Sequence, residues 1–340
     1  MSEPVETAVV MMNLGGPDSL DAVEPFLFNI FSDPDVVQVP LGFLFQRPLA
    51  RRIARGRAPT ARKSYEQLGG RSPLLELTRR QAARLEERLG PGFKTYVGMR
   101  AWHPFIEGAV GAVARDGARR IVALPLYPHH SRTTTGSALR ALHRALRARR
   151  LELPVHEVCC YPAEPAFIDA WIERIGEALA AIPQERRPTA HLLFSAHGLP
   201  RKLVESGDPY LAHLRQTVAA VAARLESPLT HSLAFQSRST PVEWLSPSTE
   251  LALTRLGESG VRDVVVAPIS FLTDHVETLV ELDRDLREHA ARSGIDGYHR
   301  VGALNDSAKL IEALAGLVRR ALGANGRLCG SSPACPRLAA

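Results

Sequence analysis

GVRDVVVAPISF, residues 260–271, is an apolar, β-branched run entered through Gly260 and left at Pro268. Such a run reads as a strand covered by helices on both faces, as in parallel sheets. A second stretch, GARRIVALPLYP at 117–128, keeps its Gly, Arg and Pro in step with the first. The likeness extends outward. VMMNLGGP (10–17) sits against LFSAHGLP (193–200), and GMRAWHP (98–104) against QSRSTP (236–241). Candidate strands fall at 6–13, 93–99, 119–126, 154–160, 190–196, 230–236, 262–270 and 298–304, separated by amphipathic helical stretches. Eight strands split four and four, and the repeat points to two α/β domains of one ancestry. The expected fold is therefore two Rossmann-like domains, each a parallel four-stranded sheet flanked by helices. The expected limits are 1–170 and 171–312, with a C-terminal extension at 313–340 that carries two cysteines.

The bulk composition excludes several classes. With 45% hydrophobic and 23% charged residues among 340, and a mean hydropathy of −0.08, the chain reads as an ordinary globular protein. A net charge of +6 invites an anionic partner. The basic residues, however, lie in helical stretches such as LRALHRALRARR (139–150), with no nucleic-acid-binding signature, so no nucleic acid is expected. No run is apolar and long enough to span a bilayer, and MSEPVETAVV lacks the pattern of a secretory signal, so a cytoplasmic protein is expected. The segment 25–57 combines apolar clusters with an arginine-rich stretch, which suits a bilayer surface or the rim of an apolar pocket as well as an ordinary core.

Open parallel sheets bind ligands beyond the carboxyl ends of their strands. Unusual polar residues gather at such ends: Asn13, Arg100, His129, His130, His197 and 236–238. In SAHG (195–198), His197 is either a histidine bonded into its own turn or a group that takes a proton or ligates a metal. TDHVETLVELD (273–283) reads as an Asp274 N-cap with Glu277 at the third helical position, a capping box that needs no chemistry. That leaves His275 and Glu281 unexplained. An acidic stripe beside a histidine suits a path for protons or for a divalent cation. Glycine-rich stretches at 12–17, 69–73 and 133–138 lack dinucleotide or P-loop register, so no nucleotide is expected. The four cysteines are Cys159, Cys160, Cys329 and Cys335. Their number matches a structural zinc or a [2Fe–2S] cluster, while their spacing fits no common short motif.

VVMMNLGGPDSLDAVEPFLFNIFSD (9–33), YEQLGGRSPL (65–74), GMRAWHP, LYPHHSRTTTGS (126–137), LLFSAHGLP, GDPY (207–210), FQSR (235–238) and PISFLTDHVETLVELD (268–283) together resemble the ferrochelatases, in order from about residue 8 to 310. That family inserts Fe²⁺ into a porphyrin. The resemblance implies a porphyrin cleft between two domains, with His197 and Glu277 as essential groups that bind the metal substrate or accept protons. It places Asp274, His275 and Glu281 on an acidic, partly π-helical relay, and Met12, Asn13, Arg100 and Trp102 on the wall of the macrocycle pocket. It makes 26–57 an apolar lip that meets the bilayer in membrane-associated members, and it suggests a homodimer. Protoporphyrin IX is favoured over coproporphyrin III. Some family members hold a [2Fe–2S] cluster on one internal and three C-terminal cysteines. This chain departs from that pattern, with Arg132 where animal enzymes have the internal cysteine, and offers Cys159 and Cys160 with Cys329 and Cys335. A cobalt chelatase acting on a corrin precursor, a porphyrin carrier and a two-domain solute-binding protein are the rival readings.

Overall fold

The computed structural model describes residues 5–37, 42–226, 229–237, 242–324 and 326–329. They fall into two compact units, one within 1–160 joined by 311–329, the other within 161–310. The first sheet contains β1 (Thr7–Asn13), β2 (Phe93–Met99), β3 (Arg120–Pro125), β4 (Val155–Cys160) and β9 (Arg327–Cys329) in the order β2-β1-β3-β4-β9. The second contains β5 (His191–His197), β6 (Thr230–Gln236), β7 (Asp263–Pro268) and β8 (Gly297–Arg300) in the order β6-β5-β7-β8. Every pairing is parallel. The two orders are the same once β9 is set aside, and this is the internal repeat read from the sequence.

The central strands explain the pattern. All seven residues of β1 and all six of β7 are buried, because helices cover both faces. On one face of the first sheet, Ala8, Val10 and Met12 alternate along β1 and pack with residues of the helices Ile106–Arg115 and Ser137–Ala148. In the second unit, Leu193, Val264 and Val266 pack with the helices Thr249–Glu258 and Leu286–Arg292. Each fully buried Val or Leu contributes roughly 1.5–3 kcal/mol, which favours sheets with strands as apolar as these over solvated hairpins.

Two features differ from expectation. The first sheet has five strands rather than four. Its ninth strand comes from the stretch expected to stand apart at 313–340, and the two units meet at residues 160 and 161 rather than near 170. Arg327 on β9 bonds Glu157 on β4 at 2.8 Å through Nε, while His143 Nε2 lies 2.6 Å from the other oxygen of Glu157. A three-residue strand is held by that distant carboxylate and carries no periodic signal of its own.

Candidate functional site

In the second unit the polar groups gather where β5 and β6 end. His197 is the last residue of β5, and Gly198 lets the chain leave the sheet: a Cβ there would lie 2.9 Å from the Gln236 carbonyl. Ser270 Oγ accepts the His197 N–H at 3.0 Å, and Tyr210 donates to the His197 carbonyl at 2.9 Å. Phe271 meets the imidazole edge-on at 6.3 Å between ring centres. With its backbone held from both sides, the ring places Nδ1 2.9 Å from Glu277 Oε2.

Glu277 opens a π-helix, Glu277–Asp285, in which the Leu286 N–H bonds the Glu281 carbonyl five residues back. The wider turn changes the phase of the side chains, as π-bulges at functional sites do. The capping box does not form. Glu277 turns to His197 instead of reaching back, and the His275 N–H is capped by Thr278 Oγ1 at 2.9 Å. Asp274 is bound on both oxygens: Oδ1 accepts from Thr278 at 2.9 Å and Arg300 at 3.1 Å, Oδ2 from Asn305 at 2.8 Å. His275 stacks at a tilt on Phe271, 4.6 Å between ring centres, with Nδ1 3.1 Å from the Thr273 carbonyl.

Ser237, just past β6, joins the two remaining acids. Its hydroxyl lies 2.9 Å from Glu277 Oε2 and 2.6 Å from Glu281 Oε2, and its N–H donates to Glu281 Oε1 at 2.7 Å. Beneath it the buried Gln236 accepts from Ser195 Oγ at 2.8 Å and donates to the Glu277 carbonyl at 3.3 Å. A hydroxyl has one hydrogen, so two carboxylate contacts are both hydrogen bonds only when one carboxyl is itself protonated. Electrostatics agree on which one. Burial and the neighbouring Glu277 charge push Glu281 up to about 7. Burial would raise Glu277 too, but the charge and hydrogen bond of His197 outweigh it, with His275 and Ser237 adding, and hold it well below the usual carboxylate range. For His197, burial acts downward and the Glu277 charge and hydrogen bond prevail upward. Burial keeps His275 below the ordinary imidazole value.

The residues expected at the macrocycle wall lie in the first unit. Met12 is buried in β1, and Asn13 bonds Thr78 Oγ1 at 3.2 Å. Arg100 is ion-paired to Asp33 at 2.7 Å and donates to Ser137 Oγ at 2.6 Å. Trp102 lies against Gly15, where a Cβ would come within 3.1 Å of the Trp102 N, and its buried Nε1 has no hydrogen-bond partner among the described residues. The cysteines are less gathered. Cys159 and Cys160 are successive on β4 and both buried, with Cys159 Sγ 3.4 Å from His130 Nδ1. Cys329 on β9 is the register partner of Cys160, and Cys335 lies outside the described residues. Among the described residues no three His, Cys, Asp or Glu side chains form a group that could hold a metal.

Of the residues that stand out in the sequence, His197, Glu277 and Glu281 meet. Residues 236–238 stand at a strand end with nothing to mark Ser237 among them, and Ser270, Phe271 and Tyr210 carry no signal of their own. Ser270, Phe271 and Tyr210 all stand in the quoted blocks, yet their roles depend on contacts with His197 or His275 across strands and turns.

The model of the ferrochelatase family matches residues 6–322. The chain is 44% identical over 317 residues to the ferrochelatase of Geotalea uraniireducens, covering 93% of this chain and 98% of that protein. It is 45% identical over 323 residues to that of Geobacter metallireducens (94% and 99%), and 43% identical over 322 residues to that of Synechocystis (92% and 82%). Its fold is similar to that of the sirohydrochlorin chelatase SirB from Bacillus subtilis subspecies spizizenii in complex with cobalt, with a TM-score of 0.53 at 13% identity over 93% of this chain and 95% of that one. With a family match spanning β1 to β8 and the histidine–carboxylate site, the chain belongs to the ferrochelatase family.

Proposed function

We propose that this chain inserts Fe²⁺ into protoporphyrin IX, releasing two protons and forming protohaem. The observation that carries the reading is the His197–Glu277 pair at the carboxyl end of β5 in a chain of this family. Glu277 accepts at Nδ1 and so orients the imidazole, leaving Nε2 with no partner among the described residues. A histidine held in this way by a carboxylate is a general base. In this reading His197 takes a pyrrole proton, and Glu277, with Oε1 unbonded among the described residues, serves the Fe²⁺ substrate or passes the proton on towards Glu281. His197 and Glu277 are the proposed contacts of the substrate metal. His275 acts by packing on Phe271, whose ring also meets the His197 imidazole, and Asp274 by fixing the start of the π-helix. Met12, Asn13, Arg100 and Trp102 are proposed to line the porphyrin pocket.

The test is to supply Fe²⁺ and porphyrin without air and follow loss of free-porphyrin fluorescence. Metallation of protoporphyrin IX ahead of coproporphyrin III is the expected result. A protein that binds porphyrin and never metallates it would be a carrier, and the reading would fall.

A [2Fe–2S] cluster on Cys159, Cys160, Cys329 and Cys335 is proposed separately. Its support is that β9 brings Cys329 opposite Cys160, so that three of the four thiols share one end of a sheet. Against it, successive strand residues point to opposite faces, and the described residues form no metal-holding group. No step is therefore routed through a cluster. Protein purified without air and showing no visible iron–sulfur absorption would remove it. No helix among the described residues is long and apolar enough to cross a membrane. A peripheral bilayer contact is supported by Leu44, Phe45 and Leu49, exposed on the helix Gly42–Glu66 among Arg47, Arg51 and Arg52. Flotation with anionic vesicles tests it. A homodimer rests on the resemblance alone, and sedimentation tests that.

A further inference from the structure

Ser237 has a backbone that serine seldom adopts. Its φ is +65°, and among the described residues only Arg150 and Asn305 join it as non-glycine residues with positive φ. For an L-residue this conformation costs on the order of 1 kcal/mol, and it persists where surrounding contacts over-determine it. Here those contacts can be named. The left-handed turn aims both the Ser237 N–H and its Oγ at one carboxyl: the N–H reaches Glu281 Oε1 at 2.7 Å and the hydroxyl reaches Glu281 Oε2 at 2.6 Å. The same hydroxyl extends to Glu277 Oε2 at 2.9 Å, the oxygen that also meets His197 Nδ1.

Two carboxyls four residues apart on one helix ordinarily repel each other and turn to water. Ser237 prevents this from outside the helix. We propose that Ser237 is a positioning residue of the metallation site: by bridging Glu277 and Glu281 it pins Glu277 Oε2 beside His197 and leaves Oε1 as the open oxygen. The role rests on the ferrochelatase reading above and adds a residue to it. Gln236 supports the clamp from below, its Nε2 3.5 Å from Ser237 Oγ and 3.3 Å from the Glu277 carbonyl.

The test compares the full-length wild type with Ser237→Ala and Ser237→Gly, measuring kcat, KM for porphyrin and the thermal midpoint. Both variants lose the hydroxyl, and glycine alone accepts the positive φ without strain. Misplacing a reacting group by a fraction of an ångström to one ångström costs about ten- to hundredfold. Both variants are therefore expected to lose about that much kcat with KM for porphyrin within about twofold, although Ser237→Gly has a midpoint no lower than Ser237→Ala. The Ser237→Gly, Glu281→Ala double variant is expected to lose no more than the worse single variant, because both changes break the contact between the Ser237 hydroxyl and the Glu281 side chain. An active wild type with an equally active Ser237→Gly, or a loss carried wholly by KM, would overturn the positioning role alone. An inactive wild type would overturn the underlying reading and this role with it.

Discussion

Each unit carries a π-helical turn after the same strand of the shared order, and the two turns differ in what they hold. After β3, Arg132–Gly136 has its backbone satisfied nearby: Ser131 Oγ accepts the Thr133 N–H at 3.2 Å, the Gly136 N–H bonds the Ser131 carbonyl at 3.0 Å, and Arg140 donates to the Arg132 carbonyl at 3.0 Å, while the Arg132 side chain reaches away, to Asp35 at 3.7 Å. After β7, Glu277–Asp285 sends two carboxyls away from its own backbone, to groups at the ends of β5 and β6. Sheet order therefore provides a place for a wide turn and does not decide its chemistry. The side chains do. Hydroxyls satisfy the backbone locally, whereas carboxylates accept and never donate unless protonated, so they must find donors elsewhere.

The strongest break of this contrast is substitution at the acidic turn. His197→Ala and Glu277→Gln are expected to lower kcat by about a thousandfold, within the range for loss of a positioned acid or base, while Thr134→Val in the other turn changes it by less than about threefold. Equal losses at the two turns, measured by porphyrin fluorescence, would put the chemistry in both.

Next in size, Asp274→Asn separates scaffold from chemistry within the acidic turn. Asp274 and Arg300 are 13% and 14% exposed, and because Arg300 keeps Asp283 at 3.1 Å, removing the Asp274 charge costs about 2 kcal/mol of stability. Denaturant unfolding is expected to show that loss, with kcat reduced by less than about tenfold at temperatures where the variant is folded. A larger loss of kcat without a loss of stability would return Asp274 to the proton relay.

The pH dependence comes third. His197 is raised above the ordinary 6.5, and its neutral form is the base, so activity rises as pH climbs through that raised value. Without the Glu277 charge and hydrogen bond, burial acts downward against only the smaller upward pull of the Glu281 charge. The acid limb of Glu277→Gln is therefore expected at lower pH than in the wild type. A limb that stays in place would separate the imidazole from the rate.

The smallest effect concerns Glu281. Its carboxyl is raised from 4.5 to about 7, so the stability it contributes is complete below 4.5 and lost as pH rises through about 7. Glu281→Gln lacks that loss. The difference in thermal midpoint is expected to move in the variant's favour between pH 4.5 and 7, and a pH-independent difference would mean that Glu281 ionises freely.

Much was legible because it is local or periodic. Each of the eight runs read as strands holds one, although the last ends at Arg300 rather than at 304, since β-branched apolar stretches signal burial without knowledge of their neighbours. His197 and Glu277 stood out because a strand end and an acidic helical stretch are both visible in one dimension. Other features were not visible. β9 exists through Glu157, 170 positions before Arg327. The capping box was chemically sound, and the structure instead gives Glu277 to an imidazole 80 residues away.

By itself, then, the sequence determined the α/β class, the division into two alike halves and the family, because burial periodicity and ordered motifs are properties of the chain read along its length. Only the tertiary structure decided which oxygen of Glu277 is bound, that Asp274 is fully bonded, and that Ser237 stands between two acids. Those are properties of distances across strands, where one hydroxyl hydrogen and two carboxyls must share a few ångströms.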